Sequence, residues 1–173
     1  THGWVTIENT HPHYSQNERF FLVHNWIIEN YIDLKKSLEK KWYKFYWDTD
    51  SEVVAKLIED IYETDLETTL KKVKEIVTWA FALAVIDRNT IDEIVAIKLW
   101  SPLVIWFKEN EYFLSSDSNA IANLTDHYIP IDDNEMVVIK KDSYKIVNSG
   151  REIKKEKIKS VSSVVLLILA TSI

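Results

Sequence analysis

The sequence reads as a mixed α+β chain, with helices gathered in its first half and strands in its second. Three observations predict this. Apolar residues recur at helical spacing in three stretches: Ile27, Ile28, Tyr31, Leu34 and Leu38; Val53, Val54, Leu57, Ile58 and Ile61; and Leu66, Leu70, Val73 and Ile76. From Ala80 the pattern changes to short apolar runs parted by turns such as Asp87-Arg88-Asn89-Thr90 and Lys108-Glu109-Asn110. Those runs are nearly continuously apolar, so the strands are expected to be buried on both faces, as in a layered fold.

Taken in order, Thr1 to His13 is an extended, polar, His-rich opening, and Ser15 to Arg19 a turn before the strand Phe20-Phe21-Leu22-Val23. His24-Asn25-Trp26 then forms a strand-to-helix elbow leading into the first helix. Such an elbow aims backbone N–H groups and one short amide at a common spot, the arrangement that holds a carbonyl oxygen as it gains negative charge. Asn25 is therefore the first candidate functional residue. Tyr43 to Phe45 reads as a short strand, and Asp48-Thr49-Asp50-Ser51-Glu52 caps a helix running to Tyr62, with Asp50 a plausible N-cap. A third helix spans Asp65 to Val77. Strands are expected over Ala80–Ile86, Glu93–Leu99, Leu103–Phe107 and Glu111–Leu114, a short helix over Asp117–Leu124, and strands over Tyr128–Ile131, Glu135–Lys140 and Tyr144–Val147.

The 173 residues suit one domain with a real core. A net charge of -6 with Lys and Glu intermixed along the helices argues against a nucleic-acid surface. There is no Cys, which rules out disulfides and thiolate metal sites and suits a cytoplasmic protein. No signal peptide is visible, and the apolar run Val164–Ala170 is too short to span a bilayer, so no membrane association is expected. His2, His11, His13 and His24 invite a zinc reading. A His-Pro-His segment without a Cys or a carboxylate pair is a weak ligand pattern, however, and neither metal nor cofactor is expected.

One feature of the composition is abnormal. Average usage would give roughly 12 glycines, yet there are 2, beside 7 tryptophans. The tryptophans occupy positions that suit glycine. Trp42 follows a Lys-rich helix end, Trp79 follows the third helix just before a strand, Trp100 precedes Ser-Pro at a strand junction, and Trp26 lies in the elbow. The deficit and the excess are expected to be the same residues, glycines encoded by UGA and rendered as Trp. The alternative is a degenerate homologue that carries Trp.

The segment His24-Asn25-Trp26-Ile27-Ile28-Glu29-Asn30-Tyr31 resembles the His-Asn-Gly-Ile-Ile-Glu-Asn-Tyr hallmark of the glutaminase domain of glutamine–fructose-6-phosphate aminotransferases, a family of class II glutamine amidotransferases. Thr1-His2-Gly3, Asn9-Thr10-His11-Pro12-His13, Thr49-Asp50-Ser51-Glu52, Ser101-Pro102-Leu103-Val104-Ile105 and Phe113-Leu114-Ser115-Ser116-Asp117 follow in the family's order. The resemblance implies the four-layer αββα sandwich of N-terminal-nucleophile hydrolases, incomplete at the N-terminus, over residues 1–159, with 160–173 an atypical apolar tail. It places glycine at Trp26, Trp42, Trp79, Trp100 and Trp106. It implies an oxyanion hole made by Asn25 and the backbone N–H of Trp26. A glutamine pocket would be lined by Thr1, His2, Trp26 and Asp50, with Asp50 on the substrate ammonium and His11 and His13 supporting the wall.

The family's nucleophile is an N-terminal cysteine, so this chain is expected to be an inactive internal fragment. Fructose 6-phosphate would bind a separate C-terminal domain, and the full-length protein would be a homo-oligomer. Two alternatives stay open: a non-catalytic glutamine-binding module, and another class II amidotransferase.

Overall fold

The computed structural model describes residues 9–109, 111–117, 121 and 123–159. Thr1, His2, Trp4 and the apolar tail fall outside these, as does half of the helix expected over Asp117–Leu124, whose described remainder shows no helix. The elements are β1 (His13–Tyr14), β2 (Phe20–Trp26), α1 (Tyr31–Glu39), α2 (Asp50–Ile61), α3 (Leu66–Ile76), β3 (Phe81–Asp87), β4 (Glu93–Leu99), β5 (Val104–Lys108), β6 (Glu111–Ser115), β7 (His127–Pro130), β8 (Glu135–Lys140), β9 (Ser143–Asn148), β10 (Arg151–Ile153) and β11 (Ile158–Lys159). The strands form two antiparallel sheets, ordered β1-β2-β3-β4-β8-β9-β10 and β11-β7-β5-β6.

Strand pleating divides the core in two. Phe20, Leu22, Leu83, Val85, Val95, Ile97, Met136 and Val138 project from the larger sheet onto the helices, where they meet Val54, Ile58, Leu70 and Val73. The alternate residues Ala82, Ala96, Val137 and Ile139 face the smaller sheet and pack on Ile105, Phe107 and Ile129. The central strands are thus covered on both faces, as their continuous apolar runs predict. Each fully buried Leu, Ile or Phe contributes about 1.5–3 kcal/mol relative to exposure. Helices, large sheet and small sheet make three layers; no outer helix over the small sheet is present among the described residues.

Several local expectations change. The first helix starts at Tyr31, because β2 runs on through Trp26 in register with Phe81, leaving Ile27 to Asn30 as the turn. Tyr43–Phe45 is not a strand. Its backbone donors are taken outside any ladder: Tyr43 N–H goes to Leu38 O, Lys44 N–H to Gln16 Oε1 and, beside the segment, Tyr46 N–H to Glu52 Oε1. The N-cap of α2 is Thr49, whose side chain accepts from Glu52 N–H at 3.2 Å, and Asp50 is the first helical residue. Ile76, expected to point inward, is 36% exposed.

Candidate active site

The site grows from the end of β2, where neighbouring side chains point to opposite faces of the sheet. His24 turns under the helices and is buried. Asn25, paired with Ala82 on β3, faces the small sheet and lines a cavity of about 350 Å³ bordered also by Val23, His24, Ala82, Ala84, Leu114 and the Ser115–Asp117 segment. A larger trough of about 980 Å³ continues from it, sharing Val23, Ala84 and Leu114 and lined mainly by apolar side chains such as Phe21, Ile94 and Tyr112. The strand ends at Trp26, whose φ of 79° turns the chain out of the sheet.

After that turn, Ile28 is fully buried in the helical core, and its N–H donates to Asp50 Oδ2 at 2.8 Å. Asn30 ties the turn to the α3–β3 loop: its Nδ2 donates to Ile76 O at 2.8 Å and its Oδ1 accepts from Thr78 N–H at 3.0 Å. A carboxylate at a helix start is favoured by the exposed N–H groups there, so Asp50 both suits α2 and fixes the elbow. It is fully buried, 3.7 Å from His24 Nδ1, and is not on the wall of the Asn25 cavity.

Behind the elbow lies a polar cluster. His24 Nδ1 meets Ser51 Oγ at 3.0 Å, Ser51 Oγ meets His11 Nε2 at 3.4 Å, and His24 N–H donates to His11 Nε2 at 3.2 Å. His13 is buried edge-on to His11 with ring centroids 5.1 Å apart, and stacks near Trp47. Burial, outweighing the nearby Asp50 carboxylate, pushes His24 down to about 4. His11 and His13 are likewise lowered, chiefly by burial. All three rings are therefore neutral at pH 7, and His11 Nε2 spends its lone pair on His24 N–H. Beneath them Glu52 accepts from Tyr46 N–H and Trp47 N–H at 2.9 Å each and pairs with the buried Lys56.

The structure thus brings His11, His13, His24 and Asp50 together on the helical side and sets Asn25 apart on the other. Ser51 and Asn30 escaped the residue-by-residue reading. Both lie inside the segments that carry the resemblance, Thr49–Glu52 and His24–Tyr31, and that was the signal for them.

Comparison with known proteins bears on this arrangement. The family described as a glutamine amidotransferase domain matches residues 5–123. Curated proteins called glutamine--fructose-6-phosphate aminotransferase [isomerizing] are similar along most of the chain. The one from Fusobacterium nucleatum is 38% identical over 93% of the chain, that from Caldanaerobacter subterraneus 41% over 90%, and that from Aquifex aeolicus 43% over 90%. The chain spans 26% of the length of each. Among solved structures, the glutamine phosphoribosylpyrophosphate amidotransferase from B. subtilis superposes with a TM-score of 0.72 at 25% identity, covering 84% of this chain and 33% of that one.

Proposed function

Because the chain belongs to the glutamine amidotransferase domain family, we propose that it is the glutamine-handling part of an enzyme that transfers the amide nitrogen of L-glutamine to fructose 6-phosphate, yielding glucosamine 6-phosphate and L-glutamate. The observation that carries this reading is the 38–43% identity over about nine-tenths of the chain to relatives bearing that name. The phosphoribosylpyrophosphate enzyme shares the fold at only 25% identity.

In this reading a thiolate attacks the glutamine amide carbonyl, and the tetrahedral oxyanion is held by the Asn25 side-chain amide and the backbone N–H of residue 26. Asn25 supports the role by lining a cavity at a strand end, and residue 26 by the left-handed turn that reorients its peptide. Asp50 receives the substrate ammonium, Thr1 and His2 complete the pocket, and His11 and His13 brace its wall. The amidotransferase unit is residues 1–159. The 173 residues hold no Cys, so the thiolate comes from outside them. Fructose 6-phosphate binds a separate domain of a homo-oligomeric, cytoplasmic enzyme.

The test is the product of the complete gene, incubated with glutamine and fructose 6-phosphate and analysed by mass spectrometry. Glucosamine 6-phosphate formed in step with glutamate is the expected result. Glutamine consumption that requires phosphoribosyl pyrophosphate instead would assign the chain to a different amidotransferase, and no glutamine consumption would remove the enzymatic reading. The 173-residue chain alone should release no glutamate above a protein-free control.

A further inference from the structure

Eight non-glycine residues among those described have positive φ, and four of them are tryptophans: Trp26 at 79°, Trp42 at 70°, Trp79 at 90° and Trp100 at 53°. Positive φ occurs in only a few per cent of non-glycine residues, with Asn, Asp and His enriched, because the Cβ meets the backbone there. The three largest non-glycine values all belong to tryptophan, and Gly150 sits among them at 79°.

The turn at Trp42 shows what the backbone asks for. Tyr43 N–H donates to Leu38 O at 3.2 Å and Trp42 N–H to Glu39 O at 3.0 Å, the paired bonds of a Schellman helix end, with Tyr43 packed against the core cluster that includes Leu38. That motif places its left-handed residue, usually glycine, where Trp42 stands. Trp79 and Trp100 likewise turn the chain at element junctions, and Trp26 closes β2.

Burial of the rings does not offset this strain. Trp42 is 86% exposed, Trp100 65%, and Trp26 and Trp79 49% each. The contrast is Trp47, whose ring packs on His13 and Tyr14, and Trp106, fully buried in β5 with its Nε1–H donating to Ser115 Oγ at 3.0 Å. Neither has positive φ. For Trp106, where the resemblance also expects glycine, the backbone makes no such demand.

We infer that the protein made in its own cell carries glycine at positions 26, 42, 79 and 100, each encoded by UGA read as glycine. UGA is one base from the glycine codon GGA, so a glycine-charged tRNA with a single anticodon change would decode it. Independent decay would not place one residue type at four left-handed turns. The inference is independent of the glutamine chemistry.

Peptide mass spectrometry of the protein from its native cells, with the gene sequence beside it, decides the matter. Glycine in all four peptides opposite UGA codons is expected; tryptophan at any of the four, or a UGG codon there, overturns the proposal. A physical arm uses the full chain made recombinantly with Trp and with all four replaced by Gly. The glycine form should melt higher, by roughly 5–10 °C, since relief of left-handed strain exceeds the added unfolded-state freedom. Trp47→Gly in the same background should melt lower. An equal or lower melting temperature for the four-glycine form overturns the backbone argument.

Discussion

The two faces of β2 are built on different principles although they share one strand. On the helical side most polar groups are buried and paired: His24 Nδ1 with Ser51, Asp50 with Ile28 N–H, and Glu52 with Lys56 and two backbone donors, while His13 Nε2 and His24 Nε2 are buried without a hydrogen-bond partner. On the other side Asn25 faces a cavity whose walls are alanines, leucines and a serine loop. Buried polar groups are costly unless satisfied, so the sealed face fixes the geometry of the elbow. The open face is where a ligand can be met. Breaking residues on the first should therefore cost stability, Asp50 with its proposed substrate contact costing chemistry as well, and breaking Asn25 on the second should cost chemistry alone.

The largest effect is expected from Glu52→Ala. It leaves the buried Lys56 ammonium unpaired and strips the acceptor from Tyr46 and Trp47 N–H, a loss of about 3–5 kcal/mol. Urea unfolding would measure it; a change below about 1 kcal/mol would mean that Lys56 escapes to solvent and that the face is not sealed.

Acid should act on the same side. Folding lowers His24 from 6.5 to about 4 because burial disfavours its charged ring. The unfolded chain then binds the proton more tightly, so this contribution is complete above pH 6.5 and lost as the pH falls to 4, on the order of 3 kcal/mol. His11 and His13, also lowered, add with the same sign. Stability measured between pH 4 and pH 7 should rise with pH, and His24→Gln should flatten the slope; a parent profile that is flat over this range refutes the assignment.

The finest distinction lies between Asp50→Asn and Asn25→Ala. In an active protein that supplies the proposed cysteine thiolate to this chain, Asp50→Asn should remove the proposed charge-assisted bond to glutamine, roughly 1.5–3 kcal/mol, about a 10- to 150-fold fall in kcat/KM. Asn25→Ala should act mainly on kcat and shift stability by no more than about 0.5 kcal/mol, since its side chain faces a cavity. If Asn25→Ala destabilises the fold as much as Glu52→Ala does, the two faces are not divided as described. If Asp50→Asn leaves glutamine kinetics intact while lowering the melting temperature, Asp50 serves only the elbow and the helix start.

By itself the sequence determined the three helices, the positions of most strands along the chain and the unusual tryptophans, because these depend on local periodicity and on which residues tolerate a turn, while the order of the strands in the two sheets came from the fold. It also pointed to Asn25 and Asp50 through short motifs. Only the tertiary structure decided that His24 and Asn25 serve opposite faces. That follows from strand pairing continuing through Trp26, and pairing depends on β3, more than fifty residues away in sequence. It likewise decided that Tyr43–Phe45 is no strand, since nearby donors are claimed by Gln16 and Glu52 rather than by a ladder. And it separated the tryptophans that strain the backbone from Trp106, which does not: φ at a turn is set by the elements it joins, and no composition reveals it.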